Sequence, residues 1–210
     1  MSLIYKIMRY VNTFESFREK NKILIVVDVQ KSFRKYFSVD YIDKLKKYCN
    51  TFDRVYQIFD NHFEGKSVDK GYIYDENPDV SIDDTYLLPN QIDIIEKRYN
   101  YDVDVDFYKR ILSEETYRKI SMMEEDGRLK KGDYFETKEE TIIVYIENNH
   151  KWFHVPIKLF NILKSLKDKI IYIVGGSEKE CLEDIFITCK SMGIDVIKNN
   201  DYIYSSKHCP

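Results

Sequence analysis

Unbroken apolar runs, set between segments of helical spacing, dominate the hydrophobic pattern of this chain. Residues 22–28 read KILIVVD, an Ile/Leu/Val run closed by a carboxylate, and residues 169–175 read KIIYIVG, a second run closed by glycine. A strand in a parallel sheet is covered by helices on both faces, so none of its positions faces water and alternation disappears. Shorter strands are predicted at 54–60, 91–97, 141–146 and 194–198, and a polar, turn-rich stretch with Pro78 and Pro89 precedes the second of these. Between the strands, Tyr41, Leu45 and Tyr48 fall at helical spacing, as do Phe107, Ile111, Leu112, Tyr117, Ile120 and Met123 over residues 105–125. A helix is predicted over 155–166, with Pro156 acceptable in its first turn. The clearest helix carries Leu182, Ile185, Phe186, Cys189 and Met192 on one stripe and ends at Gly193. Strands alternating with helices predict βαβ units and a mainly parallel, doubly wound sheet: an α/β, three-layer αβα, Rossmann-like fold.

Composition narrows the function classes. A chain of 210 residues, 43% hydrophobic and 33% charged, suits a single globular domain spanning 1–210. Its formal net charge of −3 lacks the basic excess of a nucleic-acid binder. No window approaches the roughly 18 apolar residues of a membrane span, and residues 1–11 are interrupted by Lys6 and Arg9. The expected partners are therefore a small-molecule substrate, with no nucleic acid and no membrane. Four cysteines at 49, 181, 189 and 209 form no C-x-x-C pair, which reads as reduced thiols and a cytoplasmic location. The 18 tyrosines exceed what a core requires and mark a candidate homo-oligomer interface.

In an open α/β sheet, ligands bind outside the carboxyl ends of the strands. Three strands end there on reactive residues: Asp28, Lys97, and the Gly175-Gly176-Ser177 turn that leads to Cys181. Taken singly, each has a bland reading as a helix cap, a snorkelling lysine or a small core hydrophobe. Cys181 stands just before the apolar stripe of its helix, in the first turn, where unpaired N–H groups and the positive end of the dipole favour a thiolate. Cys189 lies on the stripe and reads as core. Two successive glycines let the backbone bend and aim N–H groups inward, as an oxyanion hole requires. Thiolate, lysine and carboxylate together make a coherent nucleophilic site.

These residues resemble the isochorismatase-like cysteine hydrolases. Asp28-Val29-Gln30 is similar to the family's D-x-Q signature, Glu96-Lys97-Arg98 to its catalytic-lysine segment, and residues 171–196 to its strand, glycine turn, nucleophilic cysteine and following helix. The resemblance implies Asp28 as general base, Lys97 as its cationic partner and Cys181 as nucleophile. It places the oxyanion hole on the backbone N–H groups of Ser177 and Cys181, with a cis peptide at Gly176-Ser177. The implied reaction is attack on the carbonyl of a small amide, a thioester acyl-enzyme, then hydrolysis, as in nicotinamidases. Asp60-Asn61-His62 matches the place where nicotinamidases use Asp-x-His for a divalent metal, so Asp60 and His62 are candidate ligands for zinc or iron.

The chain departs from the family in two places. Glu178-Lys179 replaces its Thr-Asp pair, so charges of opposite sign flank the thiol. Residues 100–149 are extra relative to compact members, and an inserted helix and β-hairpin are expected there. A rival active-site lysine, Lys151, follows another predicted strand. Beside it, Trp152 and Phe153 are candidates for a pocket wall against a planar substrate, or for aromatics that pin the insertion to the core. Two alternatives to the amidase stand: a catalytically degenerate module that binds a metabolite or protein, and a vinyl-ether hydrolase of isochorismate type, which needs no thiol. Asp102, Asp104 and Asp106 mimic the start of a calcium loop, but Phe107 stands where its glycine belongs.

Overall fold

The computed structural model describes residues 22–60, 67–68, 71–72, 86–97, 105–138, 141–146 and 152–205. Strand β1 (Ile23–Val27) leads through a 3-10 helix (Lys31–Tyr36) and α1 (Tyr41–Cys49) to β2 (Arg54–Asp60). The short strands β3 (Ser67–Val68) and β4 (Gly71–Tyr72) pair antiparallel, and β5 (Gln91–Lys97) follows. Next come α2 (Val105–Ile111), α3 (Glu114–Glu125), β6 (Tyr134–Glu136), β7 (Thr141–Tyr145) and β8 (Trp152–Pro156). The chain continues through α4 (Ile157–Ser165), β9 (Ile170–Gly175), α5 (Cys181–Ser191) and β10 (Asp195–Ile203).

Five strands form one sheet in the order β10–β9–β1–β2–β5, with every pairing parallel. From β1 the sheet grows one way through β2 to β5 and the other way through β9 to β10. The order therefore reverses between β1 and β9, and the loops leaving those two strands part around a crevice. All five residues of β1 are buried. Ile23, Ile25 and Val27 meet Leu159 and Leu163 of α4 and Leu182 and Ile185 of α5 on one face. Leu24 and Val26 meet Tyr41 and Leu45 of α1 on the other. Each such side chain, fully withdrawn from water, contributes about 1.5–3 kcal/mol. The three-layer α/β architecture expected from the apolar runs is the one observed.

The middle of the chain differs in detail from its expected helix and hairpin. The helix over 105–125 is two helices, because Ser113 turns extended and its hydroxyl caps α3 by accepting from the Thr116 N–H at 3.0 Å. The hairpin is a three-stranded antiparallel sheet in the order β6–β7–β8. Its third strand takes the first two positions of the helix expected over 155–166, and α4 starts at Ile157 because Val155 is held in register with Ile142. Strand alternation splits this small sheet between two cores. Ile142, Val144, Phe153 and Val155 join the aliphatic core of the main sheet, while Ile143, Trp152 and Phe135 pack with Ile111, Leu112 and Ile120 of the helical segment. At the other end, β10 runs past its expected end to Ile203, with a register shift against β9 between Lys198 and Ile203. Among the described residues, no helix is long and apolar enough to cross a membrane.

Candidate functional site at the switch point

Asp28 is the first residue beyond β1, 1% exposed, with φ of 54°. Asp tolerates this left-handed region better than most residues, yet holding it there costs on the order of 1–3 kcal/mol. Hydrogen bonds hold it from both sides. Its N–H donates to the Ile58 carbonyl at 2.9 Å, and its own carbonyl accepts from the Tyr204 hydroxyl at 2.6 Å. Fully buried Gln57 donates its amide Nε2 to the carbonyls of Val29 and Tyr86, both at 3.2 Å. The carbonyl of buried Gln30 then accepts from the Phe33 N–H at 3.2 Å, which starts the 3-10 helix. The Asp28-Val29-Gln30 segment is thereby fastened to β2, to the Tyr86 loop and to the chain after β10.

The neighbouring strand ends in the glycine turn. Val27 and Gly175 are register partners, so Asp28 and the turn start side by side. Gly175 has φ of 101°, and a Cβ there would overlap the Val27 carbonyl. The Gly176 N–H donates to that same carbonyl at 3.0 Å, and a Cβ on Gly176 would run into the Tyr204 ring. A cis peptide bond joins Gly176 to Ser177, at the position the family resemblance implies. The Ser177 carbonyl accepts from the N–H groups of Glu180 at 3.1 Å and Leu182 at 3.2 Å, curling the chain into α5 with Cys181 as its first residue.

Cys181 is thus at the positive end of α5, 4% exposed, and joins the aliphatic core. Cys189, on the stripe of α5, is buried in that same core, and Cys49 in the core on the other face of the sheet; Cys181 differs from them in opening a helix. Burial among apolar neighbours pushes Cys49 and Cys189 each up to about 12, which keeps them protonated and inert. Glu178 and Lys179 are exposed to solvent and Glu180 is half-buried, while Glu183 forms an ion pair with Lys198. Water screens the exposed pair, so its influence on Cys181 is weaker than that of buried carboxylates nearby. One such carboxylate was not singled out by the sequence: Asp184, a turn beyond Cys181, is fully buried. Its position in a first turn beside an apolar stripe made it indistinguishable from a surface charge favoured by the helix dipole.

The remaining candidates take separate positions. Lys97 ends β5, in register with Asp60 at the end of β2. Both therefore stand at the carboxyl edge, with Lys97 two strands from β1, or about 10 Å at the usual strand spacing. His62 and the rival Lys151 lie outside the described residues, as do Asp102 and Asp104. Among the described residues, no group of three His, Cys, Asp or Glu side chains is placed to hold a metal. The described donors do not make up the three protein ligands usual for zinc, and no chemical step is assigned to a metal. Trp152 and Phe153 are adjacent on β8 and face opposite cores: Trp152 packs against Tyr108, Phe135 and Tyr145, with ring centroids 5.2 to 6.0 Å away, and Phe153 is fully buried in the main core. Both side chains are packed within these cores.

Tyr204 and Gln57 are the site's supports that the sequence did not reveal. Tyr204 is 176 positions from Asp28, and no local signal connects the two. Gln57 interrupts an apolar strand, which was a visible irregularity in residues 54–60. Comparison of the chain with protein-family models, with curated proteins and with solved structures finds no match.

Proposed function

We propose that this protein is a cysteine-dependent hydrolase that cleaves the C–N bond of a small amide through a thioester. One observation carries the reading: the sheet reverses its strand order between β1 and β9, and the two loops leaving that point bear the buried Asp28 and the glycine turn that ends on Cys181. Ligands of open α/β sheets bind at this point, and a carboxylate, a thiol at a helix N-terminus and a tight N–H-bearing turn are the parts acyl transfer needs.

In the proposed reaction, the Cys181 sulfur attacks the amide carbonyl carbon while Asp28 takes the thiol proton. The backbone N–H groups of Ser177 and Cys181 hold the oxyanion of the tetrahedral intermediate. Collapse breaks the C–N bond, Asp28 returns the proton to the departing amine, and a thioester remains. Water then attacks the thioester as Asp28 accepts its proton. The carboxylic acid leaves, and the Cys181 sulfur regains a proton from Asp28. Lys97 is the cation assigned to balance the two anionic groups, and a reducing, cytoplasmic setting keeps the thiol free.

Intact-protein mass spectrometry during incubation with nicotinamide and a panel of small amides, quenched in acid, tests this. The protein is run with and without added zinc or iron, which also tests the Asp60–His62 pair. An acyl mass on Cys181 is expected. Cys181→Ala is expected to lose the adduct and at least about a thousandfold in turnover while staying folded. The Glu178-Lys179 substitution favours the binding-module reading as the runner-up. Neither adduct nor product from folded protein would support it. Turnover that survives Cys181→Ala but not Asp28→Asn would instead point to vinyl-ether hydrolysis.

A further inference from the structure

Tyr204 touches both halves of the switch-point site. It is 6% exposed and follows β10, the strand on the far side of β9 from β1. Its N–H donates to the Gly175 carbonyl at 3.0 Å, and its carbonyl accepts from the Glu178 N–H at 3.1 Å. The backbone of Tyr204 therefore brackets the glycine turn at both ends. Its ring covers Gly176 so closely that no Cβ fits between them. Its hydroxyl crosses to β1 and donates to the Asp28 carbonyl at 2.6 Å. The ring is itself immobilised: Phe37 lies at 5.3 Å, Tyr41 edge-on at 6.1 Å and Tyr36 stacked at 6.5 Å.

We infer that Tyr204 is a positioning residue that sets the general base against the nucleophile's turn. The inference rests on the hydrolase reading of Asp28 and Cys181. Asp28 is in a left-handed conformation, in which small backbone rotations swing the carboxylate through large arcs. The Ile58 carbonyl restrains its N–H side, and the Tyr204 hydroxyl restrains its carbonyl side. Because the same tyrosine is anchored to Gly175 and Glu178, the carboxylate and the N–H groups of the turn share one rigid reference. A fraction of an ångström in that alignment matters in acyl transfer.

The experiment is a double-mutant cycle read by the pH profile of Cys181 alkylation with iodoacetamide, followed by peptide mass mapping. Wild type, Asp28→Asn, Tyr204→Phe and the double variant are compared. Tyr204→Phe keeps the ring over Gly176 and removes only the hydroxyl. Its inflection is expected to move by half a pH unit or more where Asp28 is present and not to move in the Asp28→Asn background. Phe52→Leu, whose ring packs in the same core against Tyr48 and Tyr172, is the structural control and is expected to lower the melting temperature and leave the inflection in place. Equal shifts in both backgrounds would make Tyr204 merely structural and overturn the inference. So would a Tyr204→Phe variant that fails to fold, or a wild-type thiol that responds to Asp28→Asn but ignores Tyr204→Phe. A wild-type thiol that titrates near its free value of about 8.5 and ignores Asp28→Asn would remove the hydrolase reading itself, and Tyr204's role with it.

Discussion

The carboxyl edge of the main sheet and the segment built from α2, α3 and β6–β8 are organised by different forces. At the edge, geometry comes from the backbone: a left-handed Asp28, a Gly175 with no room for a Cβ, and main-chain N–H groups aimed at the Val27 and Ser177 carbonyls. In the middle segment it comes from side chains: three antiparallel strands lie between two apolar clusters, and adjacent residues such as Trp152 and Phe153 divide between them. Backbone-defined geometry tolerates almost no substitution at a few positions, whereas geometry set by packing degrades gradually with lost volume.

The sharpest way to break this contrast is Gly175→Ala. One methyl group would overlap the Val27 carbonyl in a left-handed backbone, so the loss is expected to exceed about 4 kcal/mol, or to prevent folding altogether. Urea denaturation measures it, and a loss under about 1 kcal/mol would show that the edge yields like ordinary packing.

Next in size are Phe153→Ala and Trp152→Ala, each expected to cost about 3–5 kcal/mol through cavity formation. Phe153 belongs to the core that Cys181 shares, and Trp152 does not. Alkylation of Cys181 should therefore accelerate in the first variant and stay unchanged in the second. Equal effects on the thiol would mean that the two cores are not separate.

The smallest effect belongs to a position outside both regions. Fully exposed Asp40 precedes α1, and its hydrogen bond to Lys44, with a second from the Ser38 hydroxyl, lowers it from 3.8 to about 2. A carboxylate lowered on folding contributes stability that is fully present above about pH 4 and is lost as pH falls through 2. Asp40→Asn should flatten the melting temperature against pH in that window alone. A change at pH 7 larger than that for Trp152→Ala would invert the ranking.

Several elements were legible along the chain for a clear reason. A buried parallel strand needs apolar side chains on both faces, so residues 22–28 and 169–175 announced β1 and β9 without reference to anything distant. Spacing alone set Cys181 off the stripe of α5 that carries Cys189, but the structure buries both thiols in one apolar core, and what distinguishes Cys181 is its place as the first residue of the helix. The third strand of the small antiparallel sheet was not legible. WFHVP abuts a helix-forming stretch, and its strand state comes from pairing with β7, a partner seven to fifteen positions away across the registers from Tyr145–Trp152 to Thr141–Pro156. The break at Ser113 had a local signal, a capping hydroxyl before acidic residues, which the run of apolar spacings on either side outweighed.

By itself, then, the amino-acid order determined the class of the fold, the edge on which reactive residues collect and the thiol that opens a helix, because each follows from periodicity or from a neighbour within a turn. Only the tertiary structure decided that β9 lies beside β1, that Asp28 takes a left-handed conformation, and that Tyr204 reaches it from the other end of the chain. The β1–β9 pairing and the Tyr204–Asp28 bond join residues more than a hundred positions apart. Their selection depends on how whole layers pack, and no local pattern of side chains encodes it.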